Sequence, residues 1–329
     1  MLNIGILGCG RIGQVHANTI AHMNDVRLTA VADPSREAAE LVAKQAKALI
    51  MDPTTIVTSA NVDAVIIATP TDTHFDLIHA AAKAGKAIFC EKPVDLSSKR
   101  IRKCINVIEE TGVPFLTAFN RRFDPNFTDL QARLLRGEIG AIELVTIISR
   151  DPSPPPLSYI ESSGGIFRDM MIHDFDMARF LLGEDPIQVY AVGSVLVDTA
   201  IGAAGDVDTA AVTLTTKSGA ICQITNSRRA TYGYDQRVEV HGSHGMLRAG
   251  NIMENNIEVA NERGFCSAPT KHFFLERYSE AYRLELTHFV NAVATGSTLS
   301  PDITDGLRAQ ILADCAAESL STGRAITIT

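Results

Sequence analysis

A short apolar run from Asn3 to Leu7 leads directly into Gly8-Cys9-Gly10-Arg11-Ile12-Gly13, and a helical pattern follows through Ile20. No other feature of the chain limits its fold so strongly. The first glycine permits a tight turn, the second lets backbone approach a pyrophosphate, and the third allows helix to pack closely on strand. The helix N-terminus then offers N–H donors to the anion. A second apolar run, residues 27–33, ends in Asp33, twenty residues after Gly13, where a carboxylate can accept both hydroxyls of a ribose. Strand, glycine turn, helix, strand and acid, in that order, describe a dinucleotide site. A glycine-rich turn with Asp33 capping a loop is the plainer alternative, and it leaves the spacing unexplained.

The alternation continues to about residue 120. Residues 62–70 read as a buried strand stopped by Pro70, 73–86 as a helix with a stop at Gly85, and 87–93 as a strand. Residues 96–112 read as a helix and 113–119 as a strand. Strands alternating with helices predict a doubly wound parallel sheet with ligands at the carboxyl ends of its strands. Asp33, Thr69, Pro70, Glu91, Lys92 and Pro93 all fall at such ends. A lysine just past a buried strand ordinarily points to solvent. Here the strand end is on the cofactor side and Pro93 restricts the backbone, so an ammonium at 92 is placed to hydrogen-bond a hydroxyl and stabilise a developing alkoxide.

With 329 residues the chain exceeds what one core usually serves. The expected division is 1–120, a dinucleotide-binding domain, and 121–329, a second domain. A net charge of −8 argues against a nucleic-acid surface. Six cysteines without a C-x-x-C pair suit reduced thiols in a cytoplasm, with no disulfide framework and no metal site. The N-terminus lacks a basic segment followed by a long apolar stretch, and the apolar run 64–68 is strand-length, so neither a signal peptide nor a membrane span is expected.

Beyond residue 120 the pattern changes. Residues 127–140 read as a helix, 141–151 as a strand, and "PSPPP" at 152–156 as a stiff loop or cleft rim. Residues 187–197, 208–228 and 235–250 are β-rich, and their alternation suits an antiparallel sheet with one face buried and the other left for an interface. Residues 276–296 and 302–323 read as closing helices. Between strand and sheet, Gly164 to Gly183 reads as one helix carrying Asp169, His173 and Asp176. Positions i, i+4 and i+7 lie within about 40° of one another on a helix. Met171, Ile172, Phe175, Ala178 and Leu182 fall mostly on the opposite side. For D-x-x-x-H alone the bland reading is a solvated face, with Asp169 favoured by the helix dipole.

These segments together carry a resemblance. G-C-G-R-I-G at 8–13, "ATPTDTH" at 68–74, "EKP" at 91–93 and "GGIFRDMMIHDFDMAR" at 164–179 resemble the Gfo/Idh/MocA oxidoreductase family over nearly the whole chain. Within that family "NRRFDPNF" (120–127), D-x-x-x-H-D-F-D (169–176) and "YGYDQRVEVHGSHG" (232–245) are most similar to the inositol dehydrogenases. The resemblance implies an N-terminal Rossmann domain and a C-terminal α/β domain with a large, open, mainly antiparallel sheet that mediates dimers and tetramers. It implies that Lys92, Asp169 and His173 are the catalytic residues, and that one of Tyr232 and Tyr234 faces substrate. The expected NAD contacts are Gly8, Gly10, Arg11, Ile12, Gly13, Asp33, Thr69, Pro70, Glu91 and Lys92. The expected polyol contacts are Lys92, Asp151, Asp169, His173 and the tyrosine.

The reading that follows is an NAD-dependent dehydrogenase oxidising a ring hydroxyl of a cyclic polyol, with His173 as general base, Asp169 orienting it and Lys92 on the same hydroxyl. Other inositols, glucose, or an acidic or phosphorylated sugar are the alternative substrates. Arg121 and Arg122 are read as braces of the domain junction, and otherwise as grips for an anionic substrate. Asp176 is structural or a neighbour of the catalytic pair, and His16 and His74 are candidates for the cofactor's surroundings. A cis Lys92–Pro93 bond is expected from the resemblance. Two rivals differ in class. A metal-dependent lyase or hydrolase with Asp169 and His173 as ligands lacks a third ligand and would set Lys92 beside a cation, and a non-catalytic NAD-binding regulator leaves Lys92, Asp169 and His173 without a purpose.

Overall fold

In the computed structural model, which describes residues 1–328, the first six strands are β1 (Leu2–Leu7), β2 (Val26–Ala32), β3 (Leu49–Ile50), β4 (Ala64–Ile67), β5 (Ala87–Glu91) and β6 (Phe115–Ala118). They form one parallel sheet in the order β3-β2-β1-β4-β5-β6. Ile4, Ile6, Val65, Ile66, Ile88 and Phe89 are completely buried, as strands covered by helices on both faces require. The order reverses between β1 and β4, which opens the crevice where such sheets bind ligands. Helices Arg11–Ala21, His74–Lys83 and Ser98–Thr111 stand where the sequence places them, and Gly112 ends the last of these at φ +66°. Residues 34–61 supply two helices the periodicity did not reveal, Arg36–Ala46 and Pro53–Thr58, each with a capping side chain, Ser35 and Asp52.

The division of the chain differs from two contiguous blocks. One unit is Met1–Phe123 with Ala281–Gln310, and the other is Asp124–Glu280 with the chain from Ile311 onward. The cause is the helix Ser279–Thr295, whose Leu286, Phe289 and Val290 join Ile4, Ile6, Val31 and Phe89 in a single apolar core. Periodicity reveals that a helix has an apolar face, but not which sheet that face will cover.

The second unit is built on β7 (Ile142–Arg150), β8 (Pro186–Ser194), β9 (Thr209–Thr216), β10 (Ile221–Ser227), β11 (Asp235–Gly242) and β12 (Gly245–Ala249). Strands β13 (Glu258–Asn261) and β14 (Gly264–Ser267) make a separate hairpin, and β15 (Ile326–Thr327) closes one edge of the main sheet. That sheet runs β12-β11-β7-β10-β9-β8-β15, and every pair is antiparallel except β7 with β10. Val145, Ile147, Val212, Leu214, Cys222 and Ile224 are buried on one face. The other face exposes Tyr190, Val192 and Ile221. Both units are α/β, as expected. Among the described residues no helix is long and apolar enough to cross a membrane.

The single helix expected from Gly164 to Gly183 is two. A preceding helix, Leu157–Ser163, ends at Gly164 (φ +86°), and Gly165 (φ +84°) starts a one-turn helix, Ile166–Asp169. Met171 N then bonds back five residues to Ile166 O, and a second helix runs Ile172–Leu182. The extra residue shifts the register, so Asp169 and His173 do not lie on one regular helical stripe. Nor is the second helix amphipathic. Asp174, Asp176 and Arg179 are buried along with Phe175, Met177 and Ala178.

Candidate active site

In the first unit the glycine turn behaves as its spacing predicts. Gly8 has φ +97°, and a Cβ on it would lie 2.5 Å from Ala68 O. A Cβ on Gly13 would lie 1.9 Å from Gly8 O, so only glycine lets the helix start this close to the strand. A Cβ on Gly10 would meet nothing within 4 Å. The turn is thus tight at its two ends and open at its middle, above a helix N-terminus, which is the cradle a pyrophosphate needs. Arg11 and Ile12 open that helix. Asp33 lies past the end of β2, and its carboxylate is fixed, Oδ2 accepting from Cys9 N at 2.6 Å and Oδ1 from Ser35 N at 2.7 Å. Burial, with the charge of Asp33 added, pushes the Cys9 thiol up to about 11, so it stays protonated beside the loop. Arg36, a cation three residues on that would suit a phosphorylated ribose, pairs instead with Glu40 at 2.7 Å.

The loops carrying Thr69-Pro70 and Glu91-Lys92-Pro93 are tied together. The buried His74 ring places Nε2 2.9 Å from Thr69 O and Nδ1 3.0 Å from Pro93 O, and burial lowers its pKa. On the other side of Lys92, Glu91 Oε1 lies 2.7 Å from His16 Nε2 on the glycine-turn helix. His16 is fully buried against Phe89 and Tyr282. Lys92, half-buried, therefore sits between residues anchored to the glycine-turn helix on one side and to the Thr69 loop on the other. Its bond to Pro93 is cis, as expected, and Ser300–Pro301 is cis as well. Arg121 is buried, and Arg122 pairs with Asp305 at 3.1 Å inside this same unit.

In the second unit Asp169 ends the one-turn helix. Its Oδ1 accepts from the Tyr159 hydroxyl at 2.8 Å, and its Oδ2 lies 3.5 Å from Arg228 Nη1. His173 is the second residue of the following helix and is half-buried. What holds that helix is its neighbour Asp174, which is fully buried. Oδ1 accepts from Ser149 Oγ of β7 at 2.6 Å and Oδ2 from Asn226 Nδ2 of β10 at 2.8 Å. Gln236 of β11 approaches Ser149 from the other side at 2.6 Å. This polar seam fastens the helix to β7 and β10 beside His173. Asp176 is also fully buried, 3.9 Å from Arg179, and so is not part of an exposed stripe.

Asp151 follows β7, its N donating to Ser227 O at 3.0 Å. The two tyrosines separate. Tyr232 is half-exposed, donates to Asp235 Oδ2 at 2.6 Å and accepts from Arg150 Nη1 at 2.8 Å. Tyr234 is buried against Tyr278, ring centroids 6.0 Å apart. Arg228, Asp206, Tyr159 and Asp174 were not singled out from sequence. The partners of Arg228 lie 59 and 22 residues away along the chain, so no local spacing signals them.

Two family models match the chain. The oxidoreductase family with an NAD-binding Rossmann fold covers residues 2–119, and the GFO/IDH/MocA C-terminal domain covers residues 127–248. An inositol 2-dehydrogenase of Rhizobium meliloti is 51% identical over 327 residues, 99% of each chain. A myo-inositol 2-dehydrogenase of Thermotoga maritima is 44% identical, over 99% of this chain and 98% of that one. The solved structure of scyllo-inositol dehydrogenase from Lactobacillus casei, with bound NAD(H) and scyllo-inositol, superposes with a TM-score of 0.94. Its identity is 30%, and the match covers 100% of this chain and 99% of that one.

Proposed function

The chain belongs to the GFO/IDH/MocA oxidoreductase family, and from that premise we propose that it oxidises myo-inositol at one ring hydroxyl to an inosose. It is an NAD-dependent dehydrogenase acting on a CH–OH group. The observation that carries the substrate is near full-length similarity to two inositol 2-dehydrogenases, with 51% and 44% identity.

NAD, for which the open space at Gly10 and the fixed Asp33 carboxylate are suited, supplies the hydride acceptor. The residues of the chain handle the proton and the hydroxyls. His173 accepts the hydroxyl proton, its intrinsic pKa suiting neutral solution, and later passes it to solvent. Asp169 orients the imidazole and stabilises its cationic form. The Lys92 ammonium donates to the same hydroxyl and favours the alkoxide as the proton leaves. Asp151 and Tyr232, both rich in hydrogen-bonding capacity, bind the remaining ring hydroxyls. Tyr232 is preferred because the Tyr234 ring is buried against Tyr278. A neutral ring covered with hydroxyls needs this kind of lining and no strong charge clamp.

The protein works as a homo-oligomer, a dimer or tetramer through the C-terminal sheet. Support comes from the face of that sheet bearing exposed Tyr190, Val192 and Ile221, an apolar group of side chains that water does not favour. The cytoplasm is its proposed location, in keeping with six free cysteines. The test is NADH formation across myo-, scyllo- and chiro-inositol, glucose, xylose, and acidic and phosphorylated sugars, with NAD and with NADP. The expected result is the highest kcat/KM for an inositol, with deoxy analogues strongly disfavoured. Turnover confined to an acidic or phosphorylated sugar would overturn the assignment and make Arg121 or Arg122 the substrate grip.

A further inference from the structure

We propose that Arg228, together with Asp206, is a positioning residue of this dehydrogenase, holding Asp169 in its working direction. This deepens the assignment of Asp169 above and rests on it. Asp169 is carried by a helix of four residues, Ile166–Asp169. One turn has too few internal bonds to fix its own direction, so whatever grips its two ends decides where the carboxylate points.

Both ends are gripped by one connected group. At the start, Asp206 Oδ1 accepts from Ile166 N at 3.0 Å. Gly165, at φ +84°, closes so tightly around that carboxylate that a Cβ would lie 2.8 Å from the same oxygen. At the end, Asp169 Oδ2 faces Arg228 Nη1 at 3.5 Å. Joining the two, Arg228 Nη2 lies 3.6 Å from Asp206 Oδ2. Arg228 is itself anchored, its backbone N donating to Asp208 O at 2.9 Å just past β10. The guanidinium thus spans the helix turn from its first residue to its last, with a sheet strand as its base.

The chemistry of the contact also fits placement better than stability. Arg228 is 1% exposed. Its separations from the two carboxylates are those of ion pairs, longer than good hydrogen bonds. Among the described residues Nε and Nη2 make no hydrogen bond. A buried ion pair with unfilled donors adds little to stability compared with an apolar side chain of similar volume. What it does add is a fixed charge of one sign at one place. Arg228 holds Oδ2 by charge alone, and the Tyr159 hydroxyl donates to Oδ1.

The test is a cycle of kcat measurements on Arg228→Met, Arg228→Lys, Asp206→Asn, Asp169→Asn and the Arg228→Met/Asp169→Asn pair. NADH affinity and the concentration of folded protein are measured for each. A displacement of about 1 Å at a catalytic group costs on the order of 10²-fold in rate. Arg228→Met is therefore expected to lower kcat about 10–100-fold per folded molecule, with NADH affinity unchanged. Asp206→Asn, whose amide oxygen can still cap Ile166, is expected to lose less, and Arg228→Lys to recover part of the loss. The deciding result is in the pair. If Arg228 acts through Asp169, adding Arg228→Met to Asp169→Asn costs nothing more. Multiplying losses, or wild-type kcat in Arg228→Met, Arg228→Lys and Asp206→Asn while Asp169→Asn is crippled, would overturn this proposal and leave the role of Asp169 standing. Wild-type kcat in Asp169→Asn would instead remove the assignment on which it rests. If Arg228→Met does not fold, Asp206→Asn and Arg228→Lys, each paired with Asp169→Asn, separate the same outcomes.

Discussion

Replacing Gly13 by alanine would set a methyl carbon 1.9 Å from the Gly8 carbonyl oxygen and 2.9 Å from its carbon. Ordinary contact begins at 3.4 Å, so the helix must retreat from the strand by about 1.5 Å. Both sides of the clash are backbone, and neither can rotate away. In an unobstructed helix interior, glycine to alanine stabilises by roughly 1 kcal/mol. Overpacking typically costs about 1–3 kcal/mol, and a rigid contact belongs at the upper end. The two effects have opposite signs and overlap wins, leaving Gly13→Ala less stable by about 2 kcal/mol. That corresponds to roughly 4–8 °C in Tm for a unit of this size. Gly10→Ala is the control. Its Cβ meets nothing within 4 Å and its backbone, φ −66° and ψ −166°, accepts any residue, so stability should change by less than about 1 kcal/mol. Its methyl instead fills the cradle, and NADH affinity should fall at least about tenfold, a loss of roughly 1.4 kcal/mol. Urea unfolding and NADH fluorescence titration on both variants read the two quantities. A stabilised Gly13→Ala, or a Gly10→Ala that binds NADH like the parent, would refute the reasoning.

Three further outcomes are expected. His173→Ala should lower kcat by about 10²–10⁴ while NADH binding, measured by fluorescence, is retained; full activity would contradict its role as base. Asp33→Ser should move the ratio of kcat/KM for NAD over NADP toward NADP, because a carboxylate at the ribose repels a 2′-phosphate; an unchanged ratio would count against that contact. Burial alone would raise the Asp235 pKa, but hydrogen bonds from Arg237, Tyr232 and Asn251 outweigh it and hold the carboxyl below its ordinary value. Its stabilisation is therefore complete above about pH 4 and lost as pH falls through the lower folded value. The stability gap between the parent and Asp235→Asn should narrow on acidification in urea titrations at successive pH, and a gap that widens would show the sign to be wrong.

The first sheet was legible because its information is local. Buried strands announce themselves as short apolar runs, and Gly85, Gly112 and Gly183 at positive φ stop helices where the residue pattern stops. G-x-G-x-x-G and Asp33 carry their meaning in spacing, since a turn, a helix start and a strand end are all set by neighbours. The proposed catalytic trio was legible only as residues resembling a family, not as a geometry. The stripe expected for Asp169, His173 and Asp176 assumed a regular helix. The chain breaks that helix by bonding Met171 back to Ile166, and it buries Asp176 completely.

What remained hidden depends on contacts between distant segments. That Asp174 is a seam to Ser149 and Asn226, that Ala281–Gln310 returns to the first core, and that Arg228 stands between Asp169 and Asp206 cannot be read from any window of the sequence. A charged residue looks the same in a sequence whether it is solvated or paired. Burial decides between the two, and burial is a property of the assembled fold, because only packing removes the water that would otherwise satisfy the charge. By itself the sequence determined five of the six strands of the first sheet, the glycine turn and the acid that follows β2. The tertiary structure decided which polar groups lost their water and so had to find one another.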